Sequence, residues 1–208
     1  MENTGHFFVF EGIDGSGKST QIHLLKEHIE AQGVRCMETK EPTDGPVGSL
    51  VHQCMTGRTS ADEFTIATLF AADRLDHLLN ETDGLCGKIS QGISVISDRF
   101  VFSNYAYQGV LLPMDWLAQL NSQATKLLRP DYHIFVDVAP EVCMERMATG
   151  RFHTERYETT ERLTQVRERY LELFRQFEDE ENILIIDGNR PVEVIAEDIW
   201  NQVSHLYE

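Results

Sequence analysis

FEGIDGSGKST, Phe10 to Thr20, joins an apolar run to an amphipathic segment. The run before it, His6-Phe7-Phe8-Val9-Phe10, reads as a short buried strand. Ile22, Leu25 and Ile29 after it recur at helical spacing. Between them, Gly12, Gly17, Lys18 and Ser19 satisfy G-x-x-x-x-G-K-[ST]. Each part has a physical task. Glycines let the backbone curl so that successive N–H groups converge on phosphate oxygens. The helix that begins there adds its positive N-terminal end. Lys18 supplies a point charge to terminal phosphates, and the Ser19 hydroxyl faces a magnesium ion. Strand before and helix after make a phosphate loop the better reading than a chance glycine-rich turn.

Composition sets outer limits. The chain has 208 residues, 41% of them hydrophobic and 25% charged, enough for one domain with a sizeable core. Its formal net charge is −16, which argues against general binding to nucleic acid or an anionic membrane. A phosphate site must therefore be a local basic island. Cys36, Cys54, Cys86 and Cys143 form no C-x-x-C pair and no zinc spacing with the histidines. Reduced thiols in a cytoplasmic protein are the expectation. No charged-then-apolar leader precedes the first strand, and no apolar run approaches the ~20 residues of a membrane helix.

Four further strands are expected at Val34–Thr39, Gly92–Ser97, Tyr132–Val138 and Asn182–Ile186. Helices are expected around them: one after the phosphate loop to Gln32, a short one at Val47–Met55, one capped by Ser60 or Asp62, others at Pro113–Leu128, Pro140–Thr149 and from Thr159, and a last one carrying Val192, Ile195, Ile199, Val203 and Leu206 on one side. The alternation predicts an α/β fold, a five-stranded parallel sheet covered by helices on both faces, in one domain over 1–208. Several loops follow strands, where such sheets bind ligands. Lys40 to Pro46 is one, with a simple turn an equal reading. Asp98-Arg99-Phe100 is another. A carboxylate at a strand end suits magnesium, and the arginine fork beside it suits a phosphate. Asn104, Tyr107 and Gln108 lie within one helical turn, amides and a phenol suited to a base and sugar or to plain capping. Asp73 and Arg74 sit mid-helix among apolar residues, and the pattern leaves open whether they face solvent or a pocket. Gly150 to Glu158 is a basic connector, read as a phosphate-covering lid or a solvated loop.

Taken together, the series FEGIDGSGKST, EPTDG, TLFAADR (Thr68–Arg74), DRF-x-x-SN-x-AYQG (Asp98–Gly109) and ERYE resembles the thymidylate kinase family over nearly the whole chain. The resemblance implies a P-loop kinase fold with a short lid at about 150–158, and transfer of a phosphoryl group from ATP-Mg²⁺ to dTMP, giving dTDP for dTTP synthesis. It also implies a homodimer packed through helices. ATP would lie on Gly12, Ile13, Asp14, Gly15, Ser16, Gly17, Lys18, Ser19 and Thr20, with Arg146 near by. Ser19 and Asp98 would position magnesium. Asp14 would meet the 3′-hydroxyl of dTMP and Arg99 its phosphate. Glu41 and Pro42 would belong to the acceptor pocket with Gln108. Phe70 would stack on thymine, Arg74 would donate to O4, and Asn104 would read the N3 edge. Tyr107 would fill the place of a ribose 2′-hydroxyl, and Tyr157 would lie over the sugar. Lys18, Arg99 and Asp14, with Arg151 and Arg156 of the lid, would form the catalytic group.

Three positions depart from common family patterns. Gly15 stands where some members carry a phosphate-loop arginine, which turns attention to Arg151 and Arg156. His52 stands where many bacterial members have arginine, and Phe100 where tyrosine or histidine is common. The rival readings are another nucleotide or deoxynucleoside kinase of the same fold, a nucleotide-dependent switch, and a non-catalytic nucleotide binder. The N-K-x-D element of guanine-reading switches is absent from the chain.

Overall fold

A computed structural model describes residues 5–148 and 159–208. Its centre is β1 (Phe7–Glu11), whose five residues are all buried, as expected of a strand with neighbours on both sides and helices above and below. The other strands are β2 (Cys36–Lys40), β3 (Ser94–Asp98), β4 (Tyr132–Asp137) and β5 (Ile183–Asp187). All pair in parallel, in the order β2-β3-β1-β4-β5. Each strand lies within two residues of its expected place. The five-stranded parallel sheet is thus borne out.

The helices are α1 (Lys18–Ala31), α2 (Pro46–Met55), α3 (Glu63–Leu79), α4 (Leu85–Ser90), α5 (Val101–Gln108), α6 (Met114–Leu127), α7 (Pro140–Ala148), α8 (Thr160–Phe177) and α9 (Val192–Val203). Helix α4 is the one without a sequence expectation; it is only six residues long, too short for a period to show. Two side chains cap long helices. Asp62, not Ser60, accepts from Thr65 N at the start of α3, and Thr159 accepts from Arg162 N at the start of α8. Helix α1 lies on β1, β2 and β3 and against α9, while α5 packs on α8, α6 and α3.

The order of strands decides where a ligand can sit. The chain leaves β1 toward β2 on one side, then leaves β3 toward β4 on the other, crossing β1. Beyond the carboxyl ends of β1 and β3 a crevice opens, the usual site in such sheets. Register places Phe10 beside Asp98, and Lys40 beside Asp98. The phosphate loop and the Asp98-Arg99 pair therefore meet across that crevice.

Candidate active site

The loop from Gly12 to Gly17 wraps on glycines in the left-handed region: φ is 145° at Gly12, 82° at Gly15 and 98° at Gly17, the N-cap of α1. At Gly15 a Cβ would stand 2.7 Å from the Cys143 carbonyl oxygen. The phosphate-loop arginine of other sequences has no room here. Lys18 is buried, and its Nζ donates to the carbonyls of Gly12 (3.2 Å) and Ile13 (3.4 Å). Burial, with Arg99 near by, pulls its ammonium below its ordinary range. Ile13 and Ser16 are buried, whereas Ser19 and Thr20 are exposed on the first turn of α1. Arg146, at the end of α7, donates to Ser16 O and Gly188 O, each at 3.2 Å. It ties the loop to the turn after β5, beside Asn189-Arg190-Pro191.

Ser19 and Asp98 line one opening at the end of α1 and β3, about 760 Å³ with open solvent included. Asp98 Oδ1 is buried there without a hydrogen-bond partner, 3.7 Å from Lys18 Nζ. An orphaned carboxylate oxygen beside a hydroxyl suits magnesium, which binds few protein ligands and fills its shell with water and phosphate. Among the described residues no cluster of three or more His, Cys, Asp or Glu forms a metal cage. The donor set therefore fits a cation brought in with a phosphate ligand.

A second pocket, about 620 Å³ with open solvent included, lies behind the loop. Asp14, Glu41, Pro42, Phe70, Arg74, Arg99, Asn104, Tyr107 and Gln108 all line it, and so do Ser103, Met55 and His52. The structure thus brings together every acceptor-site residue expected from the sequence except Tyr157, which with Arg151 and Arg156 lies outside the described residues. His52 reaches this wall with a buried, unpartnered Nε2.

The polar chemistry is dense at the mouth. Arg99 Nη2 donates to Asp14 Oδ1 at 2.7 Å and to the Tyr107 hydroxyl at 3.0 Å. Tyr107 in turn donates to Asp14 Oδ2 at 3.0 Å. Burial opposes ionisation of Asp14, but the charges of Arg99 and Lys18 and bonds from Arg99 and Tyr107 outweigh it, bringing the carboxyl to about 2. Burial pushes the Tyr107 phenol well up, so it enters as a neutral donor.

Deeper in, Asp73 and Arg74 are each 1% exposed, which closes the question the helical pattern left open. They do not pair with each other. Asp73 accepts from Thr43 N and Oγ1, at 2.8 and 2.6 Å, and so holds the 41–45 loop. Arg74 Nε donates to Glu41 Oε2 (2.8 Å) and Nη2 to Phe100 O (3.0 Å), while Nη1 donates to Asn121 Oδ1 (2.5 Å). Asn104 Nδ2 donates to Gln108 Oε1 at 2.8 Å.

Three supporting residues escaped sequence reasoning. Glu11 is wholly buried at the end of β1. It accepts from Phe100 N, Ser103 Oγ and the Tyr170 hydroxyl, a buried carboxylate made tolerable by three donors. A charge closing an apolar strand was the available signal. Tyr170 fits the apolar stripe of α8, and its hydroxyl gives no sign of its partners. Asn121 sits on the buried stripe Leu117-Asn121-Ala124, a polar residue out of place on that face.

A family model described as Thymidylate kinase matches residues 10–199. The chain is 36% identical over 204 residues to a thymidylate kinase of Symbiobacterium thermophilum, covering 96% of this chain and 93% of that protein. It is 36% identical over 207 residues to a protein of Pyrococcus horikoshii named "Probable thymidylate kinase", covering 97% of each. A protein of Pyrobaculum aerophilum with the same name is 37% identical over 201 residues, covering 96% of this chain and 97% of that one.

Proposed function

The chain belongs to the thymidylate kinase family, and from that premise we propose that it transfers the γ-phosphoryl group of ATP to the 5′-phosphate of dTMP, giving ADP and dTDP. One observation carries this reading. Asp14 belongs at once to the phosphate loop and, through Arg99 and Tyr107, to the wall of the second pocket. Donor and acceptor phosphates would therefore meet at one ion pair.

Phosphoryl transfer asks for positioning and charge, with little covalent work. Lys18 and the loop N–H groups would hold the β- and γ-phosphates. Lys18 now rests on loop carbonyls, which a phosphate would replace as the better partner. Arg99 would hold the dTMP phosphate in line and share the developing charge. Phe70 would lie against the base, Arg74 would offer its remaining Nη1 N–H to O4, and Asn104 would meet N3. Glu41 fixes Arg74, and Pro42 and Gln108 close the walls. Tyr107 would take the space of a 2′-hydroxyl. Ser19 and Asp98 would hold Mg²⁺, which would neutralise charge on the phosphates. The whole chain, 1–208, would act as one kinase domain. Arg151, Arg156 and Tyr157 in its lid would cover the site and exclude water. Arg146 would border the nucleotide from below the loop.

The same reading makes the enzyme a cytoplasmic homodimer. Four free cysteines are in keeping with a reducing compartment. Leu50 on α2 and Phe64 and Leu79 on α3, exposed at 39%, 50% and 54%, give helix packing an apolar surface. Light scattering would read the assembly. Among the described residues no helix is long and apolar enough to cross a membrane.

The decisive assay couples ADP release to dTMP, dUMP, dCMP, dGMP, UMP and thymidine, each with ATP and magnesium. Strong activity with dTMP, less with dUMP and little with UMP is expected. Preference for another monophosphate or for thymidine would overturn the pocket assignment and favour a related kinase. ATP binding without any acceptor-dependent turnover would favour a switch or a non-catalytic binder.

A further inference from the structure

Four buried side chains form a line along the base pocket, none more than 2% exposed: Arg74 on α3 and Asn104 and Gln108 on α5 in its wall, with Asn121 on α6 behind them. Its polarity follows from chemistry. A guanidinium can only donate, so the atom of Asn121 facing Arg74 Nη1 must be its oxygen. Asn121 Nδ2 then donates to the Leu117 carbonyl at 2.9 Å, which can only accept. The two neighbours fix Asn121 from both ends. Its Nδ2 also donates to Asn104 Oδ1 at 2.8 Å, which fixes that amide in turn. Asn104 Nδ2 is left to face Gln108 Oε1. Turning any of these amides would set N–H against N–H or oxygen against oxygen in a dry interior.

We propose that Asn121 is a specificity-determining positioning residue: it carries the donor-only character of Arg74 to Asn104, whose oxygen takes one bond from Asn121 and keeps a second lone pair for the base, while its nitrogen is turned to Gln108. This rests on the thymine reading of the same pocket. Thymine offers N3–H, which an oxygen accepts. Cytosine offers a bare N3 with a lone pair, which an oxygen repels. Asn121 touches no substrate atom in this account, and it acts by holding Asn104.

The test reverses the polarity at Asn121 and leaves Asn104 in place. In Asn121→Asp the new carboxylate loses the bond to the Leu117 carbonyl and faces that oxygen, a cost the thermal melt will read, but it accepts from Arg74 and can accept from Asn104, so the Asn104 amide turns and offers N–H toward N3. Asn121→Leu keeps the bulk and removes the constraint. Purified wild type and both variants are compared by kcat/KM for dTMP and dCMP, with thermal melts alongside. In Asn121→Asp the dTMP-to-dCMP ratio is expected to fall on the order of 100-fold, as sites built on a specific hydrogen bond lose discrimination when it is reversed. Asn121→Leu should fall in between. Lower melting temperatures with an unchanged ratio in both folded variants would reduce Asn121 to a structural role and overturn the proposal. Should Asn121→Asp fail to fold, the ratio in Asn121→Leu decides alone: a fall supports the proposal and an unchanged ratio overturns it. If the wild type itself shows no preference for dTMP, it is the thymine reading that fails, a result separate from either outcome in the variants.

Discussion

Arg99 Nη2 lies 2.7 Å from Asp14 Oδ1, so the residue after β3 and the middle of the phosphate loop share one ion pair. Arg99 is also the one non-glycine residue with positive φ, 77°, among those described. A left-handed conformation costs on the order of 1–2 kcal/mol, and at functional sites such strain aims a side chain. Here it brings the guanidinium to Asp14 and over the Tyr107 ring, with its carbon 4.8 Å from the ring centre.

Arg99→Ala should lower kcat/KM for dTMP by on the order of 10³-fold or more, the scale for losing an arginine on a transferring phosphoryl group. Affinity for ATP, read by titration calorimetry, should change only a few-fold: Asp14 loses its ion pair, but Lys18 and the loop N–H groups that would hold the ATP phosphates remain. Near-normal turnover in a folded variant would remove Arg99 from the chemistry.

Asp14 has a second consequence, in stability against pH. Its carboxyl drops from 3.8 to about 2 in the fold. A depressed carboxyl stabilises above its unfolded value and loses that contribution as pH falls through the folded one. The shift corresponds to on the order of 2 kcal/mol at neutral pH. Asn in place of Asp14 should therefore cost about that much in urea unfolding at pH 7, and the gap to wild type should narrow steadily between pH 4 and about 2. A gap constant across that window would mean the pair contributes by packing and not by charge.

The second support of Arg99 comes from the core. Its Nη1 donates to Ser103 Oγ at 3.2 Å and to the Tyr170 hydroxyl at 3.4 Å, and both of those groups donate to Glu11. Tyr170→Phe leaves a buried carboxylate one donor short, a loss of about 1–3 kcal/mol. The prediction is lower stability together with a raised KM for dTMP and an unchanged KM for ATP. Lower stability with unaltered kinetics would confine Tyr170 to the core.

What could be read from the chain alone, and what could not, divides along the range of the interactions. The phosphate loop, the five strands and most helices rest on local patterns: apolar runs, helical spacing, glycines and caps. The lining of the base pocket came through because Arg74, Asn104 and Tyr107 carry unusual chemistry at resembling positions. Asn121, Tyr170 and Glu11 did not, since their meaning lies in bonds to residues far off in sequence. Asn121 reads as a flaw in an amphipathic stripe until Arg74, 47 residues earlier, is seen against it. Tyr170 reads as one more apolar residue until Glu11, 159 residues away, is seen to accept its hydrogen bond. His52 was noted only as a departure, and its place on the pocket wall depended on how α2 packs on α3.

Gly15 turns a difference between sequences into a test. Its φ of 82° is strained for any other residue, and a Cβ there would press on the Cys143 carbonyl at 2.7 Å. That oxygen belongs to the backbone of α7 and cannot swing aside as a side-chain tip would. Gly15→Ala should therefore lose on the order of 1–3 kcal/mol and raise the KM for ATP, since the loop must shift away from α7. Gly15→Arg brings in the charge that other sequences carry at this place, yet it meets the same backbone clash. It should fall at least as far as Gly15→Ala in thermal stability, and its kcat should not rise. A gain in kcat for Gly15→Arg over Gly15→Ala would show that α7 yields and that the missing arginine, not the packing of the loop, limits the rate.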